Sequence, residues 1–175
     1  MKKVRILFLL LAACASASSQ DFSKFQKRTY AVGSDTLPYR ILFPQLYDST
    51  KEYPLVIFLH GAGQRGNDNQ KQLLHGASLF LNDANRTRFP AIVIFPQCSL
   101  NDFCASTRII RTSTDSTPFN FEYLGDVPMN KGLNLVSQLL DSFASAKNTD
   151  NKRIYIGGLS MGDMGTFELL WCKPG

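Results

Sequence analysis

Two continuous apolar runs, Leu55-Val56-Ile57-Phe58-Leu59 and Ala91-Ile92-Val93-Ile94-Phe95, leave no side for water, and a shorter one, Arg153-Ile154-Tyr155-Ile156, follows them. Runs of this length without a polar face read as strands buried on both sides of a sheet. Helical patterns separate them. Asn69 to Asn82 places Leu73, Leu74, Ala77, Phe80 and Leu81 on one face, and Asn130 to Lys147 does the same with Leu133, Val136, Leu139, Leu140 and Phe143. Gly162 to Leu170 resumes helical character after the third run. Strand and helix thus alternate three times, which predicts an α/β fold with a mainly parallel sheet and helices on both faces.

Two further strands are expected ahead of this core, Ser23 to Val32 and Leu37 to Phe43, around the turn Gly33-Ser34-Asp35. Pro38 lacks an N–H and predicts an edge position for the second. His60 to Asn69 reads as a glycine-rich loop. Gln97 to Pro128 reads as a long irregular segment that shapes the entrance to a pocket.

The first 17 residues read as an address rather than as fold, with residues 22–175 forming an incomplete domain. Lys2, Lys3 and Arg5 precede the apolar stretch Ile6 to Ala13 and a run of small residues, the layout of a secretory signal. Ala15-Ser16-Ala17 suits cleavage before Ser18, while Leu11-Ala12-Ala13-Cys14 suits a lipoprotein signal with Cys14 lipidated. Either predicts an exported protein that meets a membrane only through lipid on Cys14. Without the three leading cations, 16 basic residues face 14 acidic ones. That scattered balance argues against a nucleic-acid partner. Export permits disulfides, and Cys98 and Cys104 are near enough in sequence to bridge a loop, which would leave Cys172 free. Two histidines without a paired Cys-x-x-Cys argue against a zinc site.

The chemistry sits in two glycine motifs. Gly158-Leu159-Ser160-Met161-Gly162 lies directly between the third run and the following helix. A strand that turns abruptly into a helix presents its serine hydroxyl outward, and side chains two residues to either side would collide there. This predicts Ser160 as a nucleophile. His60-Gly61-Ala62-Gly63 follows the first run. Its glycines, Gly61 and Gly63, let backbone N–H groups approach a ligand, so Ala62 and Met161 are the expected oxyanion donors. His60 is expected to brace the loop rather than act as a base, and His75 to lie at the surface. Acyl transfer of this kind needs no cofactor.

The stretch Tyr53 to Asn69 strongly resembles the α/β-hydrolase superfamily, and Pro96-Gln97-Cys98, Pro128-Met129-Asn130-Lys131 and Arg153 to Gly162 continue the likeness in order. The chain looks most similar to bacterial exported esterases and predicted peptidases of the phospholipase/carboxylesterase and prolyl-oligopeptidase-like type. The resemblance spans roughly residues 37–173. It implies a serine hydrolase acting on a small-molecule ester, a glycan-linked acyl group or a short peptide. Asp163 departs from the small residue usual in that family, and a tryptophan expected in the loop after Pro96-Gln97-Cys98 is missing. In this fold the triad acid and histidine follow the serine. Only 15 residues follow Ser160, and none is His. The chain is therefore expected to be the N-terminal portion of a longer hydrolase, inactive alone and poorly soluble through an uncovered edge at Ile154 to Ile156. The competing reading is a non-catalytic protein that holds an acyl or glycan ligand.

Overall fold

In a computed structural model, residues 21–111, 119–124 and 127–173 are described. The leader and Cys14 lie outside them. A five-stranded sheet forms the centre, in the order β1-β2-β4-β3-β7. Its strands are β1 Gln26–Val32, β2 Asp35–Leu42, β3 Tyr53–Leu59, β4 Ile92–Pro96 and β7 Thr149–Gly158. The two apolar runs become β3 and β4, side by side and parallel, with Ile57 opposite Ile94. β7 continues the parallel part beside β3. β1 and β2 add an antiparallel margin.

Each face of the sheet is covered by different helical segments. Leu55, Ile57 and Leu59 alternate onto one face, where they meet Leu133, Val136 and Leu139 of α3 (Lys131–Ala144) and Leu169 of α4 (Met161–Cys172). Burial of side chains like these contributes about 2 kcal/mol each. The opposite face packs Phe25, Leu42, Val93 and Phe95 against Leu73 and Ala77.

Helix α3 is shorter than its periodicity suggests. Its start is fixed by Asn130, whose side chain accepts from Leu133 N–H at 2.9 Å. Ala146 N–H then bonds to Phe143 O and turns the chain out of the helix. The segment 69–82 is not one helix. It is a 3-10 turn at Lys71–Leu73, then the short helix α1 (Ala77–Leu81), with a separate helix α2 (Asp83–Arg88) following it. Gly76, at φ 84°, breaks it, and a Cβ there would stand 3.1 Å from the Phe58 ring. Leu74 is consequently exposed rather than in the core. His75 is exposed as expected, but in the turn.

Three other expectations change. Pro38 is not on an edge strand, because β2 is paired on both sides. The ladder to β4 begins only at Tyr39, and Pro38 needs only its carbonyl, which accepts from Gln97 N–H. The segment 97–128 is not irregular throughout. β5 (Thr107–Arg111) and β6 (Phe119–Tyr123) pair antiparallel in a second, two-stranded sheet. Finally, β7 is not buried on both faces, while it does form the uncovered edge expected at Ile154 to Ile156. Tyr155 is 56% exposed, and among the described residues β7 pairs with β3 alone. Phe167, Leu170 and Trp171 of α4 are exposed as well. No helix among the described residues is long and apolar enough to cross a membrane.

Candidate active site

The corner between β7 and α4 is built by two glycines. A Cβ on Gly158 would lie 2.3 Å from the carbonyl carbon of Gly162, and one on Gly162 would lie 2.1 Å from the Leu59 carbonyl oxygen. No larger residue fits either position. Between them Ser160 takes φ 56° and ψ −115°, left-handed backbone that a non-glycine residue occupies at a cost of about 1–3 kcal/mol. The surroundings hold it there. Leu159 N–H donates to Leu59 O, Gly162 N–H donates to Leu159 O, and Asp163 and Met164 N–H donate to Ser160 O. Ser160 itself is exposed, as is Asp163.

The glycine loop after β3 lies against this corner. A Cβ on Gly61 would be 3.8 Å from Ser160 Cβ. Gly63 has open space where its Cβ would be, so its small size leaves room beside the loop instead of relieving a clash. Ala62 begins a 3-10 turn (Ala62–Gln64) and Met161 begins α4. First residues of helices have N–H groups without an intrahelical acceptor. The Met161 amide thus follows Ser160 at the positive end of a 12-residue helix, and the Ala62 amide follows Gly61, the loop residue that lies against Ser160. Met161 is buried on the Cys98–Cys104 disulfide, with Ala62 and Phe103 packed beside it. Cys172 is free and exposed.

His60 is buried behind the loop. Cys98 N–H donates to its Nε2 at 2.9 Å, and its Nδ1 is 2.7 Å from Gly61 O. A backbone N–H can only donate, so Nε2 accepts and Nδ1 carries the proton. Burial chiefly lowers the His60 pKa, helped by the charge of Arg65, while the bond to Gly61 opposes the fall. The ring is a neutral brace with both nitrogens committed. Gly61 O, gripped by Nδ1–H, belongs to the same planar peptide as Ala62 N–H. Gripping the carbonyl therefore sets the direction of that amide.

A second polar cluster fixes the far end of the loop. Gln97 is wholly buried. Its amide donates to Gln64 O and Asp68 Oδ1 and accepts from Asn69 N–H. At Asp68 burial works against the charge. Hydrogen bonds from Lys71 N–H, the Gln97 amide and Gln70 N–H outweigh it, and the pKa falls to about 2. Neither Arg65 nor Gln97 had a role assigned from sequence. Apart from Ala62, their partners lie about 30 residues away in the chain.

A further groove lies away from this corner. It measures about 630 Å³, is lined by Phe43, Val56, Phe80, Phe89, Arg153 and Tyr155, and opens at the end of β3 remote from His60.

A sheet of this order, with helices on both faces and a glycine-flanked serine between strand and helix, is the α/β-hydrolase fold. Among solved structures the chain is similar to a thermostable esterase, with 31% identity and a TM-score of 0.68 over 87% of this chain and 38% of that one. It is also similar to a CE1 ferulic acid esterase of the anaerobic fungus Anaeromyces mucronatus, at 16% identity and TM-score 0.53, over 90% of this chain and 58% of that one. A third likeness is to 2,6-dihydroxy-pseudo-oxynicotine hydrolase, at 14% identity and TM-score 0.52, over 87% of this chain and 35% of that one. The chain thus spans less than two thirds of the length of each. No family model and no curated protein matches it.

Proposed function

We propose that the chain is the nucleophile-bearing part of a serine hydrolase acting on ester bonds. The observation that carries this is the left-handed backbone of Ser160 at a corner only glycines can flank. In this reading Ser160 Oγ attacks the ester carbonyl, and the Ala62 and Met161 amides stabilise the resulting oxyanion. Each such donor is worth about 3 kcal/mol in the transition state. The alcohol leaves, and water hydrolyses the acyl-Ser160 intermediate.

A serine hydroxyl also needs a proton acceptor. Both His60 nitrogens are engaged, and His75 lies exposed in the turn before α1. We therefore assign the base, and the acid that orients it, to polypeptide beyond these residues. The thermostable esterase, more than twice as long, supports this. The ferulic acid esterase has been solved with ferulic acid. That favours a small ester or a glycan-linked acyl group as substrate over a short peptide. The Cys98–Cys104 disulfide supports export, with cleavage before Ser18 or lipid on Cys14.

The test is hydrolysis of p-nitrophenyl acetate by the product of the whole reading frame. Ser160→Ala is expected to abolish it, and residues 1–175 alone are expected to lack it. Turnover that survives Ser160→Ala would overturn the serine reading. Ser160-dependent turnover by residues 1–175 would overturn the assignment of the base. The commitment of His60 also favours a second reading, an acyl- or glycan-binding protein without turnover. Ferulate binding by a whole reading frame that hydrolyses nothing would favour it.

A further inference from the structure

One side chain ties the glycine loop to the segment after β4. Arg65 Nε donates to Ala62 O at 3.0 Å, and its Nη1 donates to Leu100 O at 3.3 Å and Asp102 O at 3.0 Å. The guanidinium carbon stands 5.5 Å over the Phe103 ring. One carbonyl partner is on the loop, and the other two are on residues 98–104, a strap closed by the Cys98–Cys104 disulfide.

The strap is itself anchored. Gly66 N–H donates to Cys98 O, and Cys98 N–H donates to His60. Asp102 accepts from Gly132 N–H at the start of α3. The Cys104 carbonyl oxygen sits 2.4 Å from where a Cβ on Gly165 of α4 would be. Arg65 therefore ties the Ala62–Gly63 peptide, the one after the Gly61–Ala62 peptide that His60 grips, to a strap already fixed to both helices of that face, so that Ala62 is held from both sides.

We propose that Arg65 is a positioning residue for the Ala62 amide, holding the loop against the disulfide-closed strap. The proposal rests on Ala62 being an oxyanion donor. Guanidinium chemistry is required by the arrangement. Its rigid planar fork donates from two separate nitrogens to the loop and to the strap while its flat face stacks on an aromatic ring, a combined geometry that the compact ammonium of lysine does not reproduce. Arg65 is only half-buried, so its loss removes little core.

The test is native-state hydrogen exchange of the whole chain, which does not depend on turnover. In Arg65→Met and Arg65→Lys, the Gly66 and Cys98 amides are expected to exchange at least tenfold faster than in the wild type. Val136 and Leu139 in α3 are expected to stay within twofold. Cys98→Ala/Cys104→Ala is expected to speed the same two amides, and adding Arg65→Met to add less than a further twofold, because clamp and strap act as one unit. Exchange at Gly66 and Cys98 within twofold of the wild type in both Arg65 variants would overturn the proposal, as would full additivity with the strap variant. In material that hydrolyses p-nitrophenyl acetate, Arg65→Met is expected to lower kcat at least tenfold with KM within twofold, because an oxyanion donor acts in the transition state. A change confined to KM would also overturn it. Failure of the serine reading instead shows as turnover that survives Ser160→Ala, with the exchange pattern intact.

Discussion

Gly162 and Leu59 meet backbone to backbone, so closely that a Cβ on Gly162 would stand 2.1 Å from the Leu59 carbonyl oxygen. The contact seats the start of α4 on the end of β3, and it brings the loop that follows β3 beside Ser160. Gly162→Ala must push the helix off the strand. Overpacking against backbone costs about 3 kcal/mol where no flexible side chain can yield. Urea denaturation of the variant is expected to show a midpoint lowered accordingly, or no folded baseline. An unfolding free energy within about 0.5 kcal/mol of the wild type, roughly the range of a neutral surface change, would contradict the packing described.

Ser160 shows the opposite economy. At φ 56° its Cβ is strained, and glycine would relieve that strain. The relief, of about 1–3 kcal/mol, exceeds the added flexibility of the unfolded glycine, about 0.5–1 kcal/mol. Ser160→Gly is therefore expected to be about 1 kcal/mol more stable than Ser160→Ala. Comparing these two cancels the loss of the hydroxyl. Calorimetry that ranks alanine as the more stable would show that the corner is not strained.

His60 gives a pH dependence whose sign is fixed. Its folded pKa lies below the ordinary 6.5 because burial penalises the charged ring. Between the two values the unfolded chain binds more protons than the folded one, so stability rises with pH there. The contribution is complete above 6.5. It is lost as pH falls from there towards the depressed folded value, with a slope of at most about 1.4 kcal/mol per pH unit. His60→Gln, which keeps a donor and an acceptor, is expected to flatten this limb between pH 7 and 5. An unchanged slope would place the titration elsewhere.

Much of this was legible in the sequence because the constraints are local. The glycines of the serine corner are required by collisions among five consecutive residues. β3 and β4 were marked by their unbroken apolar runs, and α3 by its spacing and by Asn130 at its start. The segment 69–82 is misleading because its apolar spacing continues through Gly76, where the backbone turns left-handed at φ 84° and ends the helical run. β5 and β6 were obscured by the Ser- and Thr-rich residues between them, although Phe119-Asn120-Phe121-Glu122-Tyr123 alternates as a strand does. The Arg65 clamp could not be read at all. Its carbonyl partners carry no residue-type signal, and two of them lie 35 and 37 residues away.

Glu168 was equally silent, since an acid in a helix normally faces water. Here it is 9% exposed, and its two oxygens accept from Ser106 N–H at 2.5 Å and Ser106 Oγ at 2.6 Å. The carboxylate thus joins α4 to the segment leading into β5. In Glu168→Gln one oxygen becomes an NH₂ group. That end can meet the Ser106 hydroxyl by rotating it, but it cannot accept from the backbone N–H if the amide is turned the other way. The variant is expected to lose about 1 kcal/mol. Glu168→Leu offers no acceptor and leaves the buried Ser106 N–H unpaired, so it is expected to lose about 2–3 kcal/mol. Denaturation of both variants, with exchange of the Ser106 amide as the local readout, checks the order. If leucine proves as stable as glutamate, the buried carboxylate contributes nothing to the attachment of α4.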